Sequence, residues 1–243
     1  MILAVDKPAG WTPLQALEAL RARTLELAGE PMVYAGRLDP MAEGVVLVLT
    51  GADRFDLPAH LRHDKEYQAT FLFGVHSDTF DGLGRLGPAR APAAPGTCRA
   101  AIEALAGVHR LPLPAWSAYK VRGRPLHAWA NEGRLGEIEL PVRDMTVRAV
   151  AGVDATEVQA AGVVDAICER IARVRGAFRQ AGATADWTRL AGEGAPLVLV
   201  KATITVSSGT FIRALANAVG DQLGCGGLLY ALRRTRVGPY TLE

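Results

Sequence analysis

Cysteine is scarce in this chain, with three residues among 243. Cys98, Cys168 and Cys225 are odd in number, lie far apart and form no Cys-x-x-Cys pair. This pattern excludes the disulfide framework of a small secreted domain and a cysteine-based zinc site. It is typical of proteins of the reducing cytoplasm, where we expect this chain to reside.

Long hydrophobic runs are also missing. A membrane-spanning helix needs about 20 predominantly apolar residues, and no run in the sequence approaches that length. The apolar start at residues 2–5 passes directly into Asp6 and Lys7, which leaves no room for a signal-peptide core. We therefore predict a soluble protein without membrane contact.

Lysine is rare and the net charge is small. Four of the 27 basic residues are lysine, so 23 are arginine, and the formal charge is +2. Arginine is suited to bidentate contacts with phosphates and bases. A genome rich in G and C would produce the same bias. The charge therefore permits nucleic-acid binding without indicating it.

Two patterns that often mark ligand sites occur only in part. His60, His63 and Asp64 include two typical metal ligands, but nothing nearby completes a site, so a solvated loop is favoured and we predict no metal. Residues 82–87 spell Gly-x-Gly-x-x-Gly, yet Pro88 prevents the helix whose N-terminus would hold a pyrophosphate. We expect no cofactor.

The most informative stretch runs from residue 34 to residue 51. Residues 45–49 are apolar, rich in valine and flanked by glycines, and predict a strand buried on both faces. Asp39 lies shortly before this strand, and Pro40 favours an extended backbone at Asp39. The pattern predicts one carboxylate on a stiff loop, with an ordinary Asp-Pro turn as the common alternative.

The complete string resembles the catalytic motif of the TruB family of pseudouridine synthases, which isomerise uridine 55 in the T-loop of tRNA. The matching residues are Gly36-x-Leu38-Asp39-Pro40-x-Ala42-x-Gly44. The resemblance implies that Asp39 is the catalytic aspartate. Tyr34 stands where the family usually has a histidine and is a candidate for substrate binding. Arg37 completes a Gly-Arg-Leu-Asp string similar to that of families acting on ribosomal RNA.

Two further matches supply candidate substrate-binding residues. Lys7 lies in Asp-Lys-Pro-x-Gly, which looks like the first family motif, with an exposed loop lysine as the alternative. Tyr67 begins the apolar face of a strand predicted over residues 65–74. The family tyrosine at this place stacks on the target base, a use that suits an aromatic ring. Plain core packing is the alternative for Tyr67.

Segments 77–84 and 111–123 also match in family order. The first resembles Thr-Asp-Thr-x-Asp-x-x-Gly, with Ser77 in the first place. The second resembles Pro-x-x-Ser-Ala-x-Lys-x-x-Gly, and its prolines, aromatic residues and Lys120 suit a surface for single-stranded nucleic acid. We expect Lys120 to bind RNA, with a proline-rich connection that packs Trp116 on the core as the alternative.

The last strong match follows a strand predicted over residues 197–206. It reads Ser-x-Gly-Thr-Phe-Ile-Arg, with Thr210 as the expected helix cap and Arg213 in the first turn, an arrangement that favours anions. The string resembles the family's Ser-x-Gly-Thr-Tyr-Ile-Arg, whose arginine pairs with the catalytic aspartate. We therefore expect Arg213 to contact Asp39. Residues 228–238 resemble the segment that closes the family's catalytic domain, and their three arginines could bind phosphates.

The resemblance covers residues 6–238 except for about 145–195. It implies an α+β fold with a mixed, mainly antiparallel sheet, flanking helices and a central active-site cleft. We predict a single catalytic domain over residues 1–243, without the C-terminal PUA-like RNA-binding domain usual in the family. Its helical insertion at about 155–190 would be either a packing element or a thumb-like element that closes on RNA.

The predicted activity is that of a monomeric, cofactor-free RNA pseudouridine synthase whose partner is the T-arm of tRNA. Asp39 could act as a nucleophile or as a base. Two alternatives stay open: the target could be ribosomal RNA, or the chain could be a non-catalytic protein that binds RNA or assists tRNA folding.

Overall fold

The computed structural model describes residues 1–242, which form eleven β-strands and seven α-helices. The strands are β1 (Ile2–Lys7), β2 (Met32–Ala35), β3 (Glu43–Thr50), β4 (Lys65–Phe73), β5 (Gly107–Pro112), β6 (Lys120–Val121), β7 (Arg124–Pro125), β8 (Val142–Gln159), β9 (Pro196–Val206), β10 (Gly227–Val237) and β11 (Tyr240–Thr241). The helices are α1 (Pro13–Arg23), α2 (Leu57–Leu61), α3 (Pro95–Glu103), α4 (Leu126–Asn131), α5 (Ala161–Ala172), α6 (Gln180–Gly192) and α7 (Ile212–Gln222).

One nine-stranded sheet organises the fold. Its main order is β1-β3-β10-β4-β9-β8-β5, with β2 added to β3 and β11 added to β10. Within residues 1–242 the strands of this sheet pair antiparallel except β3 and β10, which share a short parallel ladder. Strands β6 and β7 form a separate small ladder. The mixed, mainly antiparallel sheet of the predicted α+β class is confirmed.

Alternating apolar residues decide which face of the central strands is buried, because successive side chains of a strand point to opposite faces. The alternate residues of β4 and β9 join α3 and α7 in the largest core cluster. They are Tyr67, Ala69, Phe71 and Phe73 of β4, and Val198, Val200, Ala202, Ile204 and Val206 of β9. Full burial of one such aliphatic or phenylalanine side chain contributes about 1.5–3 kcal/mol.

Strand β3 is buried on both faces, as its apolar run predicts. Val46 belongs to the largest core cluster, whereas Val45, Leu47 and Leu49 belong to a cluster on the opposite face. Every residue of β3 after Glu43 is buried. The strand therefore gives the loop that precedes it a rigid base.

Helix α1 starts at Pro13, directly after its N-cap residue Thr12. The Thr12 hydroxyl accepts a hydrogen bond from the Gln15 amide at 3.2 Å, and the Thr12 amide donates to the Gln15 side chain at 2.8 Å. This is a capping box, which satisfies two amides at the helix start. The helix buries Pro13, Ala16 and Leu17, whereas Leu14 is exposed, and Leu25 is exposed beyond the end of the helix at Arg23.

The cap predicted for α7 is wrong. The helix is preceded by Phe211, whose side chain makes no capping bond. The Thr210 hydroxyl instead lies 3.3 Å from the Ser207 hydroxyl. The Thr210 amide donates to the Ser207 carbonyl at 3.3 Å. Thr210 therefore belongs to a turn that ends before the helix, and Phe211 takes the cap position.

The helical stretch between β8 and β9 begins later than predicted. Residues 155–159 belong to β8 and pair with β9, so α5 starts only at Ala161. Helices α5 and α6 pack through Ile167 and Trp187 into a second core cluster that also contains Leu83 and Leu228. The two helices are thus a packed pair. No helix within residues 1–242 has the length and apolar character needed to cross a bilayer.

Candidate active site

The Asp39 loop (residues 36–42) connects β2 to β3. It is held by backbone hydrogen bonds from the Ala42 amide to the Asp39 carbonyl at 3.0 Å and from the Gly10 amide to the Pro40 carbonyl at 2.7 Å. The Asp39 side chain is 39% exposed. The predicted arrangement of one carboxylate on a rigid loop beside a buried strand is therefore present.

Arg213 contacts Asp39, as expected. Its Nε donates to Asp39 Oδ2 at 2.9 Å, its Nη1 donates to the Thr79 carbonyl at 2.9 Å, and its Nη2 donates to the Trp116 carbonyl at 3.2 Å. The Arg213 side chain is 3% exposed. A buried cation with three acceptors is fixed in place, so it can hold one oxygen of the open carboxylate and leave the other, Oδ1, for a substrate.

A second carboxylate, that of Asp81, lies near Arg213 in the Asp81 loop (residues 77–86). Asp81 is buried and accepts hydrogen bonds from the Thr79 hydroxyl at 2.5 Å and the Leu83 amide at 3.0 Å. Burial raises the pKa of Asp81, although the nearby Arg213 guanidinium opposes the shift. Sequence reasoning did not single out Asp81, although the match over residues 77–84 contained it.

Arg234 of β10 has a structural role at the site that sequence reasoning did not predict. It is 1% exposed. Its Nε donates to the Val45 carbonyl at 2.6 Å, and its Nη1 and Nη2 donate to the carbonyls of Arg37 and Gly36 at 3.1 and 3.2 Å. Gly44 makes this possible: its φ is +103°, and a Cβ there would lie 2.2 Å from the Arg234 carbonyl oxygen.

The expected phosphate contacts by the three arginines of β10 are not supported by the structure. Arg234 is buried beneath the Asp39 loop. Arg233 pairs with Asp6 at 3.0 Å, and Arg236 pairs with Glu66 at 3.1 Å. These guanidinium groups already have intramolecular partners, and they stabilise the sheet around the loop.

Lys7 is also buried, which corrects its predicted contact with substrate. It has 0% exposure, and its Nζ donates to the carbonyls of Pro8 at 3.0 Å, Trp11 at 2.7 Å and Ala42 at 2.5 Å. Burial lowers the pKa of Lys7 to about 8, and the charge of Asp39 partly opposes this. Lys7 therefore holds the Asp39 loop from its buried side, through the hydrogen bond to the Ala42 carbonyl.

Tyr67 and Tyr34 lie close to the Asp39 loop in different settings. Tyr67 is 6% exposed and shares the largest core cluster with Leu38 of the loop and Ile212 of α7. Tyr34 is partly buried, packs against the same cluster and lines a groove of about 530 Å³ between β2, α1 and α2. Packing explains the burial of Tyr67, and its stacking on a base stays a prediction.

Lys120 and the pair His60 and His63 are the remaining residues that the sequence analysis considered as ligand contacts. Lys120 is exposed on β6, whose ladder pairs it with Pro125 through the backbone. His60 and His63 face each other, with 3.3 Å between ring nitrogens, and both rings pack near Tyr240. Across the part of the chain that the structure describes, no group of three or more His, Cys, Asp or Glu is placed to hold a metal.

The chain matches a family model described as TruB family pseudouridylate synthase (N terminal domain) over residues 27–169. Similar curated proteins are described as tRNA pseudouridine synthase B. The one from Thermobifida fusca is 38% identical over 250 residues, which cover 100% of this chain and 71% of that protein. Those from Arthrobacter sp. and Ralstonia nicotianae are 35% and 34% identical, and the matches cover 100% of this chain and 67% and 64% of the relatives.

Solved structures share the fold at lower identity. A chain of a Cbf5-Nop10-Gar1 complex superposes with a TM-score of 0.58 at 21% identity, covering 100% of this chain and 50% of that one. A chain of an H/ACA RNP bound to a substrate RNA containing 2'-deoxyuridine superposes with a TM-score of 0.56 at 18% identity, covering 100% of this chain and 49% of that one. At these identities the likeness establishes the fold.

Proposed function

This chain belongs to the TruB family of pseudouridylate synthases, and we propose that it isomerises uridine 55 in the T-loop of tRNA. The observation that carries the proposal is the contact between Asp39 Oδ2 and Arg213 Nε at 2.9 Å, which joins two motifs of the sequence. The names of the relatives support a tRNA substrate.

The isomerisation breaks the bond between C1′ and N1 of the uridine, turns the uracil and joins C1′ to C5, while a proton leaves C5 and one is added at N1. We assign the reacting carboxylate to Asp39, acting as nucleophile or as base. Arg213 positions it by occupying Oδ2. The uridine must first leave its stack, which costs a few kcal/mol and least in a loop, so a T-loop uridine suits this site.

The other predicted residues take supporting roles in the proposal. Lys7 positions the Asp39 loop, Tyr67 forms the floor beneath the uracil, Tyr34 lies at the edge of the site, and the exposed Lys120 contacts an RNA phosphate. We propose that the chain acts in the cytoplasm as a monomer on the tRNA T-arm, and that residues 1–243 form a single catalytic domain.

A test of the substrate uses three RNAs with the same purified protein. They are a T-arm stem-loop with uridine at position 55, the same stem-loop with cytidine there, and a ribosomal RNA stem-loop rich in uridine. Pseudouridine is mapped chemically after incubation. We expect product at position 55 of the first RNA and none on the other two.

Two other outcomes would contradict the proposal, and each favours a different function. Product on ribosomal RNA alone would contradict the tRNA proposal and favour the alternative suggested by the exposed Arg37 in its Gly-Arg-Leu-Asp string. Binding of the T-arm without product on any RNA would favour a non-catalytic role.

A further inference from the structure

The segment between α5 and α6, residues 173–179, carries three arginines and no acidic residue, and we call it the arginine connector. Two of its side chains stack on tryptophans. The Arg175 guanidinium carbon lies 4.3 Å from the centroid of the Trp11 ring, and that of Arg179 lies 3.6 Å from the Trp116 ring. The negative face of an indole ring attracts a cation, which stabilises this arrangement.

Both tryptophan segments touch the candidate active site, so the arginine connector lies beside it. The Arg175 amide donates to the Gly10 carbonyl at 2.9 Å, and the Gly10 amide donates to the Pro40 carbonyl, next to Asp39. On the other side, the Trp116 carbonyl accepts a hydrogen bond from Arg213. The arginine connector therefore contacts the two segments, around Trp11 and Trp116, that pack beside the Asp39 loop and Arg213.

The approach at Gly10 is close enough to require glycine. Its φ is +90°, and a Cβ there would lie 2.3 Å from the carbonyl oxygen of Arg173. The backbone of the arginine connector is thus seated directly on the segment that holds Pro40.

The arginine connector is held in one shape by Gln180, the first residue of α6. The Gln180 side chain accepts from the Phe178 amide at 2.9 Å and donates to the carbonyls of Val174 at 3.1 Å and Gly176 at 2.6 Å. An ordered binding segment loses less conformational entropy when a partner binds. The two stacked arginines are therefore preorganised.

The two arginines differ in how their charge is balanced. Arg179 pairs with Asp78 at 2.7 Å, whereas the exposed Arg175 guanidinium has no ion pair or hydrogen-bond partner within residues 1–242. The N–H groups of the Arg175 guanidinium make no hydrogen bond within residues 1–242, and a guanidinium can donate two parallel N–H groups to two phosphate oxygens. Arg175 over Trp11 therefore presents an ordered, unbalanced positive charge close to the Asp39 loop.

We propose that the arginine connector binds the sugar-phosphate backbone of the substrate RNA, with Arg175 over Trp11 contacting a phosphate near the flipped uridine. This inference rests on the proposed function and adds a contact from the helix pair between β8 and β9. Arg179 acts differently, as a positioning residue, because its Asp78 pair and its stack on Trp116 support the segment that holds Arg213.

The test compares Arg175→Ala with Arg189→Ala. Arg189 is an exposed arginine of the same helix pair, lies outside the arginine connector and pairs with Glu193 at 2.6 Å. Steady-state kinetics on T-arm RNA are combined with RNA binding by fluorescence anisotropy over a range of salt. Thermal unfolding of both variants monitors the fold.

For Arg175→Ala we expect KM and the RNA dissociation constant to rise about tenfold with kcat within about twofold, as loss of one charged hydrogen-bonded contact predicts. The logarithm of the binding constant falls as the logarithm of salt concentration rises, and the magnitude of this negative slope should decrease by about 0.7–0.9, the amount for one phosphate contact. Arg189→Ala should match the wild type in KM, kcat, the RNA dissociation constant and the salt slope.

An Arg175→Ala variant with unchanged affinity and salt slope would overturn the proposal. Equal losses in both variants would also overturn it, since they would reflect general charge. Should the wild type bind T-arm RNA without converting it, the proposed function fails, and the anisotropy comparison still decides whether the arginine connector contacts RNA.

Discussion

Three cations, Lys7, Arg213 and Arg234, are buried around the Asp39 loop. A buried charge is costly unless it is paired and hydrogen-bonded, and each of these has several acceptors. Lys7 and Arg234 bond to backbone carbonyls of the loop, while Arg213 bonds to the Asp39 carboxylate itself. The partly exposed Asp39 is thus positioned by three cations that are themselves buried.

Replacing Lys7 by methionine tests this positioning. Methionine fills a similar volume but leaves three carbonyl oxygens without their donor, each costing about 1–3 kcal/mol, while relief of charge burial offsets part of the loss. We expect Lys7→Met to lower the free energy of unfolding by about 2–4 kcal/mol in urea denaturation near neutral pH. Lys201→Met, at an exposed position of β9, controls for the loss of a lysine.

The same variant has a predicted pH dependence. Folding lowers the pKa of Lys7 from 10.5 to about 8, so between these values the unfolded chain binds more protons than the folded one. The stability contributed by Lys7 therefore rises as pH increases through this window. The deficit of Lys7→Met relative to wild type should be larger at about pH 10 than at about pH 7. A deficit that shrinks with rising pH would contradict the burial of Lys7.

At the scale of elements, the helix pair supports the Asp81 loop. Asp186 of α6 accepts hydrogen bonds from the Arg85 side chain at 2.6 Å and from the Leu86 amide at 3.0 Å. Trp187 donates to the Gly82 carbonyl at 2.8 Å. Since the Asp81 loop supplies the Thr79 carbonyl that holds Arg213, helix α6 stabilises the site from a distance.

Asp186→Ala tests this support. The substitution leaves a buried amide and a guanidinium without their acceptor, so we expect the free energy of unfolding to fall by about 1–3 kcal/mol. The loop that holds Arg213 should also loosen, which lowers kcat more than it raises KM. Glu193→Ala, at an exposed ion pair just after the end of α6, should change neither the free energy of unfolding nor kcat. A stable Asp186→Ala variant with normal kcat would show that α6 packs on the loop without supporting it.

The elements were predictable where local patterns determine them. Apolar patterns predicted β4 and β9, and the apolar run of residues 45–49 predicted β3. The start of α5 was missed because residues 155–159 alternate poorly and form strand only by pairing with β9.

The site was predictable only in part. Asp39 and Arg213 are 174 residues apart, so their contact came from motif resemblance and not from spacing. The burial of Lys7 and Arg234 depends on carbonyls supplied by distant segments, which no local pattern records. Asp81 was missed because its link to the site is the nearby charge of Arg213, which comes from a distant segment of the chain.

At the scale of the molecule, the sheet brings segments from the whole chain together around Asp39. The Asp39 loop leads into β3, Arg213 follows β9, and Arg234 lies on β10 between β3 and β4. The 38% identity with the Thermobifida fusca protein spans the full chain, and the shared fold extends to structures of about 20% identity. The fold is therefore shared even where the sequences have diverged to about 20% identity.

The role of Asp39 is tested most directly by single-turnover reaction of wild-type and Asp39→Asn protein with T-arm RNA, with pseudouridine measured by mass spectrometry of the nucleosides. Asparagine has nearly the same shape and lacks the charge. We predict that product formation falls by at least about a thousandfold, as loss of a reacting group requires, while RNA affinity stays within about threefold. Conversion by Asp39→Asn at a rate near that of the wild type would contradict the assignment.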